Sequence, residues 1–562
     1  MRNLTKLLVA NRGEIACRVF RTARRMGLRT VAVYSEADAD ALHVRQADEA
    51  FALAGSLASE TYLSIPSLLE AARRTRADAV HPGYGFLSEN ADFAQACFDA
   101  GLVFVGPKSD AMLALGNKSR AKELAHRVGV SCLAGYQGDR QDDRTLAQEA
   151  ARIGYPLLIK AAAGGGGRGM RRVDRAEDLA GALASARTEA KNAFGSGQLL
   201  LEQLAQRARH VEIQILADEH GHYVALGERD CSVQRRHQKV IEESPCPVLS
   251  AEQRREMSSA ARTLAMAAGY TNAGTVEFLL DERGRFYFLE MNTRLQVEHP
   301  VTEQVTGFDL VELQLRVARG ESLAHLPLDV PLQGHSIEAR LYAEDPSQGF
   351  MPQTGKIERW IVPSSPSVRV DLGGRRVSIK TSFYDPLVAK VIATGRDRSE
   401  AIGSLLSGLA DTVLLGVRTN GEFLQRILQH ETFQQGEATT SFLDESGLLD
   451  REESAEDRRL AALAGVIFIE EASRSQPSGL KGWRSTGSVI TPIRLQSTAG
   501  VFDLSILYEK NRYEVSIGET KSVMQVIESS PGVIAWTEDD VRRSARFMIV
   551  DDRLSVACNG MT

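Results

Sequence analysis

The chain has 562 residues, room for roughly three to five domains, and 43% of them are hydrophobic, which excludes a disordered tail. A formal net charge of −6 argues against broad nucleic-acid binding, which needs a strongly basic face. Six widely spaced cysteines without a Cys-x-x-Cys pair, and no apolar run near the ~20 residues that span a bilayer, speak against a zinc site, a disulfide framework and a membrane helix.

A strand begins almost at once, at Lys6-Leu7-Leu8-Val9-Ala10, leaving no room for a signal or transit peptide, so a cytoplasmic enzyme is expected. Glu14 to Met26 reads as a helix, Thr30 to Tyr34 as a strand and Ile65 to Thr75 as a helix. Ala79-Val80-His81 and Val103-Phe104-Val105 are further strands. Such alternation predicts an α/β unit whose parallel sheet is covered on both faces. The first turn is Asn11-Arg12-Gly13-Glu14 and not G-x-G-x-x-G, which removes NAD and FAD. From Asn117 to about Gly320 antiparallel hairpins alternate with helices. Strands and one long helix, Arg398 to Leu409, predict a third α/β unit from His335 to about Gly447. An acidic, helix-prone link covers Asp444 to Asp457. Beyond Val489, alternating runs such as Phe502-Asp503-Leu504-Ser505-Ile506 and Tyr513-Glu514-Val515-Ser516-Ile517 predict a small, mostly β domain.

Three segments carry chemistry. The strand Pro156-Leu157-Leu158-Ile159-Lys160 leads into Gly164-Gly165-Gly166-Gly167-Arg168-Gly169, whose exposed backbone N–H groups suit a polyanion. No Gly-Lys-Ser/Thr closes it, so it is a phosphate cover other than a Walker A loop. Next, Thr275 to Asn292 reads as a β-hairpin turning at Arg283-Gly284. A two-residue turn there sets Glu277 directly opposite Glu290, with Asn292 on the same face. Facing carboxylates repel. A divalent cation relieves the conflict, and Glu, Glu and Asn oxygens suit Mg²⁺. Just beyond, Arg294, Gln296 and Glu298 offer a guanidinium fork for a small oxyanion and a general base beside it. Metal, phosphate cover and oxyanion pocket together describe phosphorylation of a small carboxylate-like acid. The basic run Glu228 to Lys239 is read as donors turned towards phosphates and that anion, not as a solvated face.

These stretches resemble the biotin carboxylase component of biotin-dependent carboxylases: LLVANRGEIACRV from Leu7, HPGYGFLSEN from His81, IKAAAGGGGRGM from Ile159, ERDCSVQRRHQKVIEESP from Glu228, LEMNTRLQVEHPVTE from Leu289 and HSIEARLYAEDP from His335. The resemblance covers about the first 445 residues. It implies a pre-ATP-grasp (Rossmann-like) domain over 1–115 and an ATP-grasp domain over 116–330, with a mobile lid near 132–204. A biotin carboxylase C-terminal domain would follow over 331–447, and a β-rich connecting domain, possibly incomplete, over 458–562. By resemblance ATP is held by Lys118, Lys160, Gly165, Gly166, Gly167, His210, Gln234, His237, Glu277, Leu279 and Glu290, with Glu202, Gln203 and Leu204 as the adenine hinge. Gln203 departs from relatives that carry Lys there. Mg²⁺ or Mn²⁺ would sit on Glu277, Glu290 and Asn292, and bicarbonate on Lys239, Arg294, Gln296, the Val297 backbone and Glu298. Arg340 would meet biotin and, with Glu298, Lys239 and Arg294, make up the catalytic set.

The extension past the third domain resembles the connecting domain of acyl-CoA carboxylase α subunits, and the loop Gly135 to Asp143 resembles the 3-methylcrotonyl-CoA and geranyl-CoA branch. No biotin-accepting Met-Lys-Met appears, so biotin is expected on a separate or missing carrier domain, and a carboxyltransferase β subunit as partner in a hetero-oligomer. The rivals are another ATP-grasp ligase, carbamoyl-phosphate synthase-like or purine-pathway, and an ATP-binding assembly scaffold without turnover.

Overall fold

The computed structural model describes residues 1–162, 170–374, 379–380, 383–450, 454–474, 489–497, 500–509 and 511–558. The expected phosphate cover, with Gly165, Gly166 and Gly167, lies outside them.

The short apolar runs near the amino terminus pair into a parallel sheet ordered Glu49–Ala52, Arg29–Tyr34, Lys6–Val9, Ala79–His81, Val103–Phe104. Helices Gly13–Arg25, Ile65–Thr75 and Ala91–Asp99 belong to this unit. The edge strand Glu49–Ala52 is absent from the sequence reading, although it lies at the start of the apolar run Ala50 to Ala54; it is four residues long and alternately half-buried and exposed.

The central sheet has eight strands, in the order Phe286–Asn292, Asn272–Leu280, Arg209–Ala217, Tyr223–Arg235, Gln238–Ser244, His335–Tyr342, Leu387–Gly395, Val368–Leu372. It runs without a break from the hairpin region into the third α/β region: Ile241 lies opposite Ala339, and Arg340 opposite Lys390. One face is apolar, where Val211, Ile213, Ile215, Val276, Phe278 and Phe288 share a core with Met257, Ala261 and Leu264 of the helix Ala251–Ala267. Because side chains alternate along a strand, the intervening His210, Glu212, Gln214, Thr275 and Glu277 gather on the other face.

A separate four-stranded sheet, Gly135–Tyr136, Leu199–Gln203, Leu157–Ala161, Arg171–Val173, shares a core with helices Asp143–Ile153 and Leu179–Phe194. At the carboxyl end seven strands from Ile490–Gln496 to Arg553–Ala557 form an antiparallel meander in chain order. They curl around a helix, Ala455–Ser473, whose Ala462, Leu463, Val466 and Ile467 fill the concavity. That helix is absent from the sequence reading, although Ser454 and Asp457 form a capping box at its start.

Candidate active site

Strand alternation builds the site from the polar face of the central sheet. Glu212 lies opposite Arg229 on one side and Glu277 on the other, and Glu277 lies opposite Glu290. The facing pair is as expected, but the route to it differs. The hairpin closes through a five-residue turn, Asp281 to Arg285, with Leu280 opposite Phe286. That register alone would offset the two carboxylates by one residue. A bulge at Leu289, between Phe278↔Phe288 and Glu277↔Glu290, restores the pairing and carries Asn292 opposite Thr275.

Each carboxylate then meets a cation. Lys239 Nζ donates to Glu212 at 2.6 Å, Glu277 at 3.0 Å and Glu298 at 2.6 Å. The fully buried Arg229 donates to Glu212 at 2.5 Å, and to Gln214, Thr275 and Thr302. Lys118 stands 3.2 Å from Glu290, and His210 Nε2 3.1 Å from Glu277. Burial alone would push the Glu277 carboxyl up, but Lys239 and His210 outweigh it and hold the group well below the usual carboxylate range. Burial would likewise lower Lys239, yet the carboxylates Glu212, Glu277 and Glu298 keep its ammonium charged well above the ordinary lysine range.

The donor set fits a hard divalent ion. Glu277 and Glu290 offer carboxylates from adjacent strands, and the Asn292 amide touches Glu277 at 2.8 Å. Among the described residues, His, Cys, Asp and Glu side chains also cluster as His210, Glu212 and Glu277, and as Glu212, Cys231 and Glu298. The second group includes the Cys231 sulfur, a soft ligand that a hard ion such as Mg²⁺ does not take.

Glu298 ends the segment that begins at Arg294 and caps the helix His299–Thr306. It is 2% exposed and clamped between Lys239 and Arg340, whose Nη2 donates at 2.9 Å. Burial pushes its carboxyl up, but Lys239, Arg340 and Arg229 hold it well below the usual range. Arg340 also donates through Nε to Glu242 at 2.5 Å. Gln296 donates to Glu277 at 3.0 Å, and Arg294 reaches Asn292 at 3.3 Å and Glu89 at 3.3 Å. Lys239, Arg294, Gln296, Val297, Glu298 and Arg340 therefore converge on one end of the carboxylate face.

The expected nucleotide residues fall in two groups. Leu279 lies opposite His210, on the same face as Glu277. Gln234 pairs with Lys239 beside the tight turn Arg236-His237, both of whose residues have positive φ. In the small sheet the buried Glu202 carboxylate accepts from both Lys160 and Lys122. Burial would raise Glu202, but Lys160 and Lys122 hold it at about 2. The backbone N–H of Gln203 donates to Ala134 O at 2.8 Å and that of Leu204 to Pro156 O at 3.1 Å. The basic run 228–239 splits: Lys239 faces the carboxylates, Arg229 is buried among Glu212 and its neighbours, and Arg235 lies 4.0 Å over the Phe350 ring.

Sequence reasoning missed Glu212, Lys122, Glu242 and Lys390. Glu212 had a signal, the His210-Val211-Glu212-Ile213-Gln214-Ile215 alternation, and Lys390 had another, a lone charge in the apolar strand Leu387–Gly395; Lys122 has none, being one of several charges along the helix Lys118–Arg127.

A nucleotide-fold sheet, a hairpin-built central sheet with a small companion sheet, and a row of metal-competent carboxylates define an ATP-dependent ligase of the ATP-grasp class. Family profiles match three successive stretches: the biotin carboxylase N-terminal domain over residues 3–112, the carbamoyl-phosphate synthase L chain ATP binding domain over 117–326, and the biotin carboxylase C-terminal domain over 338–445. Biotin carboxylase 2 of Bacillus subtilis is 48% identical over 439 residues, 78% of this chain and 99% of its own. The chain belongs to the biotin carboxylase family of ATP-dependent ligases.

The mitochondrial methylcrotonoyl-CoA carboxylase subunit alpha of Dictyostelium discoideum is 47% identical over 489 residues, 86% of this chain. That of Arabidopsis thaliana is 50% identical over 443 residues, 78% of this chain. The chain spans 70% and 60% of these two relatives' lengths. Among solved structures, the biotin carboxylase domain of Hydrogenobacter thermophilus 2-oxoglutarate carboxylase, complexed with MgADP, ADP and bicarbonate, aligns with a TM-score of 0.78 and 43% identity, covering 81% of this chain and all of that one. Biotin carboxylase from Campylobacter jejuni aligns with a TM-score of 0.76 and 42% identity, covering 79% of this chain and 99% of that one. The carbamoyl-phosphate synthase-like rival accounts only for the middle profile. Among the described residues no helix is long and apolar enough to cross a membrane.

Proposed function

We propose that the chain catalyses the first half-reaction of an acyl-CoA carboxylase: MgATP-dependent activation of bicarbonate and carboxylation of biotin at N1′. The observation that carries this reading is the buried Glu298 carboxylate held between Lys239 and Arg340, at the end of a face whose other carboxylates suit Mg²⁺.

In this assignment Glu277, Glu290 and Asn292 hold Mg²⁺ or Mn²⁺, which when bound neutralises phosphate charge. Lys118, Lys160, His210, Gln234, His237, Leu279 and the hinge Glu202 to Leu204 take the nucleotide, with Gly165, Gly166 and Gly167 as its cover. Lys239, Arg294, Gln296 and the Val297 backbone bind bicarbonate. Glu298 takes the bicarbonate proton. One bicarbonate oxygen then attacks the γ-phosphorus and the bond to ADP breaks, giving carboxyphosphate. Its C–O bond cleaves to CO₂ and phosphate, the phosphate accepts the N1′ proton of the acceptor biotin while Arg340 steadies the developing negative charge, and the deprotonated N1′ attacks the CO₂ carbon to form the N–C bond of carboxybiotin. A carboxylate held so low is a weak base in the empty site. Bicarbonate beside it adds a like charge and shares Lys239, and both effects raise its proton affinity when a base is needed.

The relatives' names support 3-methylcrotonyl-CoA as the acyl-CoA of the whole assembly, with geranyl-CoA second. A carboxyltransferase β subunit and a biotin carrier domain complete it as a hetero-oligomer. The assigned compartment is the cytoplasm, resting on six free thiols that suit a reducing environment. The test is ATP hydrolysis by the purified chain with Mg²⁺, with and without bicarbonate and free biotin. Bicarbonate-dependent turnover stimulated by biotin is expected. Nucleotide binding without such turnover would favour the scaffold instead.

A further inference from the structure

Lys390 has no role in the reading above, yet it is a fully buried lysine aimed at the bicarbonate segment. It lies on the strand Leu387–Gly395 directly opposite Arg340 on one side and Asp371 on the other. Directly opposed residues share a face, so Asp371, Lys390 and Arg340 form one row across three strands. Arg340 grips the Glu298 side chain at 2.9 Å, and Lys390 Nζ donates to the backbone carbonyl of the preceding residue, Val297, at 2.7 Å. The two cations therefore hold neighbouring residues of one segment from one sheet.

The surroundings show what keeps that ammonium buried. Glu14 Oε1, from the amino-terminal unit, lies 3.5 Å away, and the ring of Tyr84 has its centroid at 5.8 Å. Glu338, two residues before Arg340 on the same face, is fully buried with neither oxygen hydrogen-bonded and feels the Lys390 charge. Burying an ammonium costs several kcal/mol unless it is paired and hydrogen-bonded. A leucine would fill the position at lower cost. Among the described residues, the Val297 carbonyl is the one group that Lys390 contacts at full hydrogen-bond strength, at 2.7 Å.

That carbonyl and the Glu298 N–H belong to one rigid peptide plane. Fixing the plane fixes the direction in which Glu298 leaves the backbone, while His299 Nδ1 at 2.8 Å ties the carbonyl of Gln296 next door. We infer that Lys390 is a positioning residue for bicarbonate: it locks the Val297–Glu298 peptide so that the Val297 backbone and the Glu298 carboxylate face the anion together. The inference rests on the proposed biotin carboxylase reading.

The experiment compares the full chain with Lys390→Met and with the double variant Lys390→Met/Glu338→Gln, which also replaces the buried carboxyl that has no hydrogen-bond partner by an amide that stays neutral, and so protects folding. Bicarbonate and ATP are titrated separately, and fold is followed by circular dichroism and thermal melting. The expected result is a KM for bicarbonate raised at least tenfold, with the KM for ATP within twofold, in whichever variant melts cooperatively. A folded variant with an unchanged bicarbonate KM overturns the inference. So does an equal loss in both KM values, the mark of a merely structural lysine. A parent chain without bicarbonate-dependent turnover would bring down the proposed function itself, and this inference with it; an active parent with an unmoved variant brings down this inference alone.

Discussion

Glu298 is an acid surrounded by cations, and that arrangement fixes what its removal must do. Glu298→Gln keeps shape and hydrogen-bonding capacity but loses the base, so bicarbonate-dependent ATP hydrolysis should fall by about 10²-fold or more, with nucleotide affinity nearly unchanged by calorimetry. Unchanged turnover would place the base elsewhere. Glu290 is a different kind of residue. Its side chain is 32% exposed and its partner is Lys118, at 3.2 Å. Glu290→Gln should therefore shift the Mg²⁺ concentration for half-maximal activity upwards by about tenfold, equivalent to ~1.4 kcal/mol of ion binding, without unfolding the hairpin. A Mg²⁺ titration with an unmoved midpoint would remove Glu290 from the metal site. The facing of Glu277 and Glu290 came out right because two departures cancel: the five-residue turn shifts the register by one and the Leu289 bulge shifts it back. The turn reading itself failed: nothing in Asp281 to Arg285 announces that a bulge at Leu289 will compensate for the longer loop.

Helices and strands whose partners lie far away in the chain were less legible. Four of the five parallel strands stood out as short apolar runs, and Arg398–Asp411 as a long periodic helix. The strand Arg209–Ala217 is buried along its whole length, although every second residue from His210 to Gln214 is polar. Alternation alone reads as a half-solvated strand, so a buried polar face can be told from a wet one only once the covering elements are known. Helix Leu310–Ala318 gives a test at this scale. Its N-cap Asp309 accepts from Glu312 N at 2.9 Å and pairs with Arg18 of helix Gly13–Arg25 at 2.9 Å. Burial would raise the Asp309 carboxyl, but Arg18 and Thr22 lower it to about 2. A folded pKa below the unfolded value of ~3.9 contributes stability that is fully present above that value and lost as pH falls through about 2. Asn caps as well as Asp, so Asp309→Asn should cost about 2 kcal/mol at pH 7 and less at pH 3, measured by urea unfolding. An equal cost at both values would contradict the ion pair. Gly465 of helix Ala455–Ser473 gives another: a Cβ there would come within 2.7 Å of Ile506 Cδ1 and 2.9 Å of Leu504 Cδ2. Gly465→Val should destabilise the carboxyl-terminal unit by about 1–3 kcal/mol and leave carboxylation of free biotin intact. An unshifted melting transition would mean that the helix does not pack into the meander.

Across the whole molecule, the proposed catalytic residues all lie within the stretch that the family profiles match, up to residue 445. The Bacillus subtilis relative aligns over 439 residues and 99% of its own length, so the first three units correspond to a complete protein elsewhere. The helix-filled meander lies beyond residue 445, where the family profiles end, and we propose it as the contact with the β subunit. Deleting residues beyond Leu449 should abolish β-subunit binding and spare carboxylation of free biotin; an intact assembly would refute that division. In the proposed mechanism bicarbonate itself attacks the γ-phosphate of ATP. The direct measurement is ATP turnover in ¹⁸O-labelled bicarbonate with free biotin, followed by mass spectrometry of the phosphate released. One bicarbonate oxygen in each phosphate formed is the expected result. Phosphate carrying only water oxygen would contradict the mechanism, leaving an ATPase in which bicarbonate is no nucleophile.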